Sequence, residues 1–451
     1  MASDNGGGAP KAKRRGRDSI SRIAISGYKS LNCEQTIRIA PLTLLAGANS
    51  SGKSSLMQPL LLLKQTLEAP YDPGPLLING PNVKFTTAEQ MFSQCGKQLA
   101  HEERLAVAIE LHGDETLTTF YKRSRRKLEI EKMTYSGGQS RQTFHMAMSD
   151  AEIRRALPRQ ENELFRSMSD AVKPAKLHWR VARNRCFLEL ALLSDEHEQT
   201  IYRASPSQGV AFHVRDIIHL PGLRGNPEWT YPVTAVGRTF PGSFDKYAAS
   251  VIAKWQADKQ LKELHKVGSY LELLGLTWKV ATDAVDETQV QLKVGRLPHA
   301  ARGGAHDLVS IADVGVGTSQ ALPIVVALVV ARPGQLVYIE QPEIHLHPAA
   351  QAQLAEVFAD AARRGVRIVV ETHSSTLLLA IQTIVASGRL APDDVSLNWF
   401  TRDNSGVTSV TAGIFDETGA FGDWPEDFGS VILSAEADYV EAASRRLRKI
   451  S

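Results

Sequence analysis

The sequence predicts an α/β fold, on three observations. An apolar run, Pro41–Leu45, enters a glycine turn at Gly47 and is followed by a helical stretch, Leu56–Leu67. A second apolar run, Leu336–Ile339, ends in the carboxylate of Glu340. A third, Val366–Glu371, has His373 just past its end. Buried strands that deliver polar residues at their C-terminal ends are how open α/β sheets assemble binding sites.

In chain order, apolar residues interleaved with polar ones over Ile20–Ile25 and Gln35–Ile39 predict two short strands. Pro41–Leu45 reads as a buried strand, and Leu56–Leu67 as a helix interrupted early by Pro59. Arg104–Leu111 and Thr116–Tyr121 read as strands, Ala151–Val172 as a charged helix, His213–Leu220 as a strand and Tyr247–Leu274 as a helical stretch. The pattern then becomes α/β again, with helices over Gln320–Val330, Ala349–Arg363 and Ser375–Ser387 and strands over Gln335–Ile339 and Val366–Glu371. The two α/β segments are widely separated, so they must meet in space to form one head. No repeat or sustained heptad is visible. The expected organisation is a disordered basic tail over 1–18, a first lobe over 19–135, an inserted helical and β region over 136–302, and a second lobe over 303–451.

Bulk composition narrows the class. With 43% hydrophobic and 22% charged residues, the chain has ample material for a core. The longest apolar stretch, Ala321–Ala331, is too short to cross a bilayer and contains Pro323, which argues against a membrane span. Cys33, Cys95 and Cys186 stand far apart without metal or redox spacing, and the polar N-terminus has no apolar leader. Both features point to reduced thiols and a cytoplasmic location. Lys11, Lys13, Arg14, Arg15 and Arg17 against Asp4 and Asp18 equal the whole net charge of +3. The tail reads either as a DNA-binding arm or as a solvated extension. A second basic cluster, Lys122, Arg123, Arg125, Arg126 and Lys127, is a phosphate-backbone contact or a charged strand edge.

Gly47-Ala48-Asn49-Ser50-Ser51-Gly52-Lys53-Ser54 matches the P-loop pattern in full. Its glycines let consecutive N–H groups, with those of Ser55 and the helix that follows, point at phosphate oxygens. Lys53 reaches the β- and γ-phosphates of ATP in such a loop, and the Ser54 hydroxyl ligates Mg²⁺. Leu336–Glu340 has the Walker B arrangement, a strand whose terminal acid reaches the Mg²⁺ region. Gln341, Pro342 and Glu343 follow, then His345, Leu346, His347 and Pro348. The two histidines lie in a proline-bounded loop without the helical spacing of four that zinc motifs use. His373 is positioned to hydrogen-bond a γ-phosphate and attacking water, the alternative being a core histidine.

The order P-loop, "IEQPEIHLHP", "VVETHS" resembles the heads of ABC-type ATPases of the SMC/RecF/OLD kind. It looks closest to bacterial AAA-labelled ATPases without a long coiled coil. "LLINGPNV", "IHLPGLRGNP", "ADVGVGTSQALPIVVAL" and "WPEDF" extend the likeness along nearly the whole chain. The resemblance implies an ABC-type head with an antiparallel β subdomain and an inserted region. It implies ATP held between two copies in a dimer or higher oligomer, the P-loop of one facing the signature segment of the other. It further implies a metal-contacting glutamine, for which Gln90 stands in the right part of the chain.

Ser136-Gly137-Gly138-Gln139 spells the signature literally but lies far before the Walker B strand, between strand-like segments, where it reads as a turn. Asp313–Gln320 lies shortly before Walker B and opens a helix, so Gly315, Gly317 and Ser319 are the expected signature residues. Where the class has Asp-Glu at the end of Walker B, this chain has Glu340-Gln341. A glutamine amide orients water but accepts no proton. Either Glu343 takes the base's part or hydrolysis is slow.

After His373 the chain is too short for an acidic nuclease domain, and "VSLNWFTRD" lacks clustered aspartates, so effector chemistry is expected from a separate partner. By resemblance that partner is a nuclease or toxin encoded nearby, in anti-phage defence. The competing readings are an ATP-binding scaffold that sequesters a partner, favoured by Gln341, and a RecF-like repair ATPase, favoured by the basic tail.

Overall fold

The computed structural model describes residues 19–94, 104–124, 127–138, 140–157, 177–195, 199–299 and 307–422. The tail at 1–18, the "WPEDF" segment, Arg125, Arg126 and Gln139 lie outside the described residues.

The first part of the chain forms β1 (Ile20–Ser26), β2 (Gln35–Arg38), β3 (Leu42–Gly47), α1 (Lys53–Glu68), β4 (Arg104–Leu111), β5 (Glu115–Ser124), β6 (Lys127–Gly137) and β7 (Ser140–Phe144). Then come α2 (Asp150–Ala156), β8 (Leu177–Asn184), β9 (Phe187–Ser194), β10 (Thr200–Ala204), α3 (Gln208–Arg215), β11 (Ile218–Leu220) and β12 (Tyr231–Pro232). The rest forms α4 (Ala248–Ala257), α5 (Leu261–Leu273), β13 (Val280–Ala284), β14 (Gln289–Gly295), β15 (Leu308–Ser310), α6 (Val316–Val330) and β16 (Leu336–Glu340). It closes with α7 (Pro348–Arg363), β17 (Arg367–Thr372), α8 (Ser375–Ala386), β18 (Val395–Arg402) and β19 (Thr408–Gly413).

The central sheet runs β11-β16-β17-β3-β18-β19, parallel except for the β18/β19 hairpin. An antiparallel sheet of order β2-β1-β4-β5-β6-β7 packs beside it, and two smaller sheets contain β8–β10 and β12–β15. The P-loop strand β3 is thus flanked by two strands from the far end of the chain. Strand alternation divides the central sheet between two cores. Leu42, Leu44, Val337, Ile339, Ile368 and Val370 join the helices α4 to α8 on one side. Leu45, Leu336, Tyr338, Val369 and Phe400 join α1 and the antiparallel sheet on the other. With both faces buried, these strands read as continuous apolar runs.

Three local expectations change. Helix α1 continues through Pro59, because its Leu56, Met57 and Leu60–Leu63 are all buried and that packing outweighs a proline cost of about 3 kcal/mol. His213 belongs to α3, whose buried Val210 and Val214 stand one helical turn apart, and the strand starts only at Ile218. Tyr247–Leu274 divides into α4 and α5 at Lys259, which takes a left-handed φ of 54°. Of the charged helix, Asp150–Ala156 is helical, and residues 158–172 lie outside the described residues. Among the described residues no helix is long and apolar enough to cross a membrane.

Candidate nucleotide site

The P-loop is held in a conformation that only its sequence allows. Gly47 and Gly52 have φ of 149° and 100°, and Ser50 takes 61°. A Cβ on Gly47 would lie 2.3 Å from the Phe400 carbonyl oxygen. One on Gly52 would lie 2.5 Å from Thr408 Oγ1 and 2.9 Å from Ser30 Oγ. The Thr408 hydroxyl bonds Ser30 Oγ and the Ser51 carbonyl at 2.8 Å each, so β19 fastens the loop from outside. Helix α1 then starts with Gly52 at its N-cap, no side-chain cap and no acid in its first turn. Its positive end is left for an external anion.

Lys53 is buried, and its ammonium donates to the carbonyls of Gly47 at 3.1 Å and Ala48 at 2.8 Å, inside the curl of the loop. Burial lowers its pKa, opposed by the charges of Glu371 and Glu343. A cleft of about 780 Å³ opens over this loop, lined by Asn49–Ser55 and, across it, by Gln341, Glu371, His373 and Arg402. Gln90 also lines the cleft, but its amide oxygen accepts the Thr86 N–H at 3.0 Å and, in a capping box, the Thr87 N–H at 3.5 Å, so it serves its own turn. On the same side Lys29 donates to Gln58 Oε1 at 2.6 Å.

The carboxylates behind the loop are arranged in ranks. Strand pairing sets Glu340 opposite Glu371, and Glu371 opposite Leu45 of the P-loop strand. Glu371 Oε1 accepts from Ser54 Oγ at 2.8 Å and Oε2 from the Tyr338 hydroxyl at 2.9 Å. Burial, then the neighbouring Glu340, raise its pKa. Glu340, the expected metal contact, instead turns away: Oε1 lies 3.1 Å from His219 Nε2 and Oε2 accepts the Gly222 N–H at 3.1 Å. Burial pushes the Glu340 carboxyl up, but the bonds from His219, Gly222 and Tyr338 outweigh it and hold the pKa below its usual value. His219 stacks on Tyr338, ring planes 11° apart, and its Nδ1 meets Asn82 Nδ2 at 2.9 Å.

Beyond Walker B the backbone is strained. Gln341 has φ 43°, an uncommon value for a residue with a side chain, and its N–H donates to the Glu371 carbonyl at 2.8 Å. Buried Arg224 secures this turn, donating to the carbonyls of Glu340 at 3.1 Å and Gln341 at 3.3 Å. Burial lowers its pKa to about 10. Glu343 accepts the His373 N–H, and burial raises its pKa. His373, half-buried, is lowered by burial and then by Lys53, which favours the neutral imidazole. The His347 ring caps α7 by accepting the Ala349 N–H at 3.2 Å, and the described residues contain no metal-binding cluster of His, Cys, Asp or Glu.

The candidate signature lies elsewhere. Gly315, Gly317 and Ser319 do not line the P-loop cleft. Gly315 is exposed at the start of α6, and a Cβ there would meet nothing within 4 Å among the described residues. Ser319 is buried, and its hydroxyl donates to the Val316 carbonyl at 2.9 Å, so it does not face outward as the sequence reading expects. The decoy Ser136-Gly137-Gly138 closes the β6/β7 hairpin, with Gly138 at φ 58°.

Three comparisons bear on this arrangement. A family profile described as "AAA domain, putative AbiEii toxin, Type IV TA system" matches residues 253–380. That segment holds the start of α6, Walker B and His373 but not the P-loop. No curated protein matches the sequence. Among solved structures, an SMC head bound to the C-winged helix domain of ScpA aligns at TM-score 0.48 and 11% identity, covering 88% of this chain and 98% of that one. The SMC head domain from Thermotoga maritima aligns at 0.41 and 11%, covering 87% and 98%. An SMC head with an extended coiled coil bound to the C-terminal domain of ScpA, derived from Pyrococcus furiosus, aligns at 0.44 and 10%, covering 88% and 96%. At these identities and TM-scores the likenesses assign neither activity nor partner to this chain.

Glu371, Tyr338, His219 and Arg224 escape the sequence reading. Two signals for them were present: Glu371 ends a buried apolar strand just as Glu340 does, and His219 and Arg224 lie within "IHLPGLRGNP".

Proposed function

We propose that this chain binds ATP with Mg²⁺ on Gly47–Ser54 and hydrolyses it slowly, as a nucleotide-gated dimer or higher oligomer that controls a separate effector protein. The observation that carries the reading is the P-loop itself, with the Lys53 ammonium inside its curl and Ser54 bonded to a buried carboxylate. Ser54 and Glu371 offer hard oxygen donors, which suit Mg²⁺. Bound there, the cation would neutralise charge on the β- and γ-phosphates. His373 and Gln341 face the cleft to orient water, and Glu343 behind them accepts its proton. The exposed helix start at Gly315 supports contact with the nucleotide of a second copy. The toxin and TA system named by the family profile support an effector partner, here a nuclease or toxin encoded nearby in antiviral defence.

The test is Lys53→Ala measured by titration calorimetry with ATP. Binding should be lost while the fold persists, with a loss of about 1–2 kcal/mol in stability from the unsatisfied carbonyls. Equal affinity for both proteins would overturn the reading. A second reading, an ATP-binding scaffold with little hydrolysis, is favoured by Gln341 in place of a proton acceptor. Phosphate release indistinguishable from background, with ATP affinity intact, would select it.

A further inference from the structure

We infer that Glu371, rather than the Walker B residue Glu340, is the carboxylate that meets the divalent cation beside Ser54. The inference rests on the ATP reading above and assigns the metal-side group within it. Strand order is the first reason. Because β17 lies between β16 and β3, Glu371 is one strand nearer the P-loop than Glu340, a step of about 4.8 Å.

Hydrogen bonding is the second. Both Glu340 oxygens are engaged away from the cleft, by His219 Nε2 and the Gly222 N–H. Turning Glu340 toward Ser54 would leave a buried imidazole and a backbone N–H without their partner. Glu371 needs no such rearrangement: it lines the cleft, with Oε1 2.8 Å from Ser54 Oγ. Two oxygens on one edge of an octahedral Mg²⁺ site, each about 2.05 Å from the ion, stand about 2.9 Å apart. The Ser54–Glu371 pair therefore already has the spacing of a coordination edge. Glu340 then acts as a positioning residue, its charge behind Tyr338, whose hydroxyl donates to Glu371 Oε2 at 2.9 Å.

The test uses Mn²⁺ as the probe, with its affinity read by electron paramagnetic resonance in the presence of a non-hydrolysable ATP analogue. Analogue binding is first measured in chelator, free of metal. Each variant's analogue affinity in chelator serves as its own reference, and relative to it Glu371→Gln should lose Mn²⁺ affinity by about 100-fold, while Glu340→Gln loses about tenfold or less. Glu371→Asp, which keeps the charge, covers the case in which Glu371→Gln fails to fold, and should fall between wild type and Glu371→Gln. Intact analogue binding with the order reversed, or with Glu371→Gln and Glu371→Asp both like wild type, overturns the assignment alone. Failure of the wild type to bind analogue overturns the ATP reading and the assignment together.

Discussion

The backbone N–H of His373 donates to Glu343 Oε1 at 2.6 Å, and the second oxygen of that carboxylate is buried with no hydrogen-bond partner among the described residues. A carboxylate held by one oxygen and idle at the other, behind the water-facing residues, is equipped to take a proton. Glu343→Gln should lower phosphate release by about 100-fold or more while keeping ATP affinity. Burial raises the folded pKa of Glu343. Turnover should therefore fall with decreasing pH above the usual carboxylate range. The same shift means that the folded state binds the proton more readily, so stability declines as pH rises through that window. Glu343→Gln should flatten that decline in denaturant titrations at several pH values. A wild-type acid limb in the ordinary carboxylate range contradicts the assignment.

Gln341 combines strain with position. Its φ of 43° favours glycine, so Gln341→Gly should raise stability by up to about 1 kcal/mol while losing the amide and slowing turnover. Gln341→Glu should slow turnover as well, because it sets another carboxylate beside Glu340, Glu343 and Glu371. Steady-state phosphate release decides this. Faster turnover in Gln341→Glu would show that the site lacks a base and that Glu343 is not one.

Gly52→Ala should destabilise the protein by about 2–4 kcal/mol and abolish nucleotide binding, since the added methyl meets Thr408 Oγ1 at 2.5 Å in a left-handed backbone. Thr408→Ala in the same chain should recover part of the stability by removing that oxygen. Thermal melts of the two single variants and the double variant measure the coupling. Strict additivity would mean that the two residues do not oppose each other.

A side chain at Gly315 would meet nothing within 4 Å among the described residues, so Gly315→Arg should leave the fold intact and disable the neighbour's nucleotide site. Mixed with Lys53→Ala, it should restore activity that neither variant has alone. Ser319→Ala should change little, because the hydroxyl serves the Val316 carbonyl in its own helix. Ser136→Arg, on a hairpin of the antiparallel sheet, should have no effect on the mixture. No recovery in the mixture would place the signature elsewhere.

The P-loop, its own strand, the neighbouring strand β17 and the helix that follows were legible because each rests on local rules: apolar runs, glycine turns and helical spacing; β18, on the other side of β3, was not read as a strand. The mixed α/β architecture followed from the same runs. Which carboxylate faces the cleft was not legible, because it depends on strand order. Glu340 and Glu371 carry the same local signature, and only the placement of β17 between β16 and β3 separates them. The side-chain direction of Ser319 was equally hidden, since it turns on one hydrogen bond within a helix turn. Gln90 sits in the cleft as its chain position implied, yet its oxygen is committed to Thr86.

The place of β3 in the sheet also sets a problem for synthesis. Ser54 and its partner Glu371 are 317 residues apart, and at about 5–20 residues per second the chain takes roughly a quarter of a minute to a minute to emit that stretch. Throughout it, Leu42–Gly47 has been synthesised with neither neighbouring strand yet complete. A nascent strand that is apolar on both sides and open at both edges is a template for pairing with other chains. The nucleotide loop therefore cannot take its final form until β17 and β18 emerge, and fragments that end before Val395 should aggregate unless a chaperone shields them.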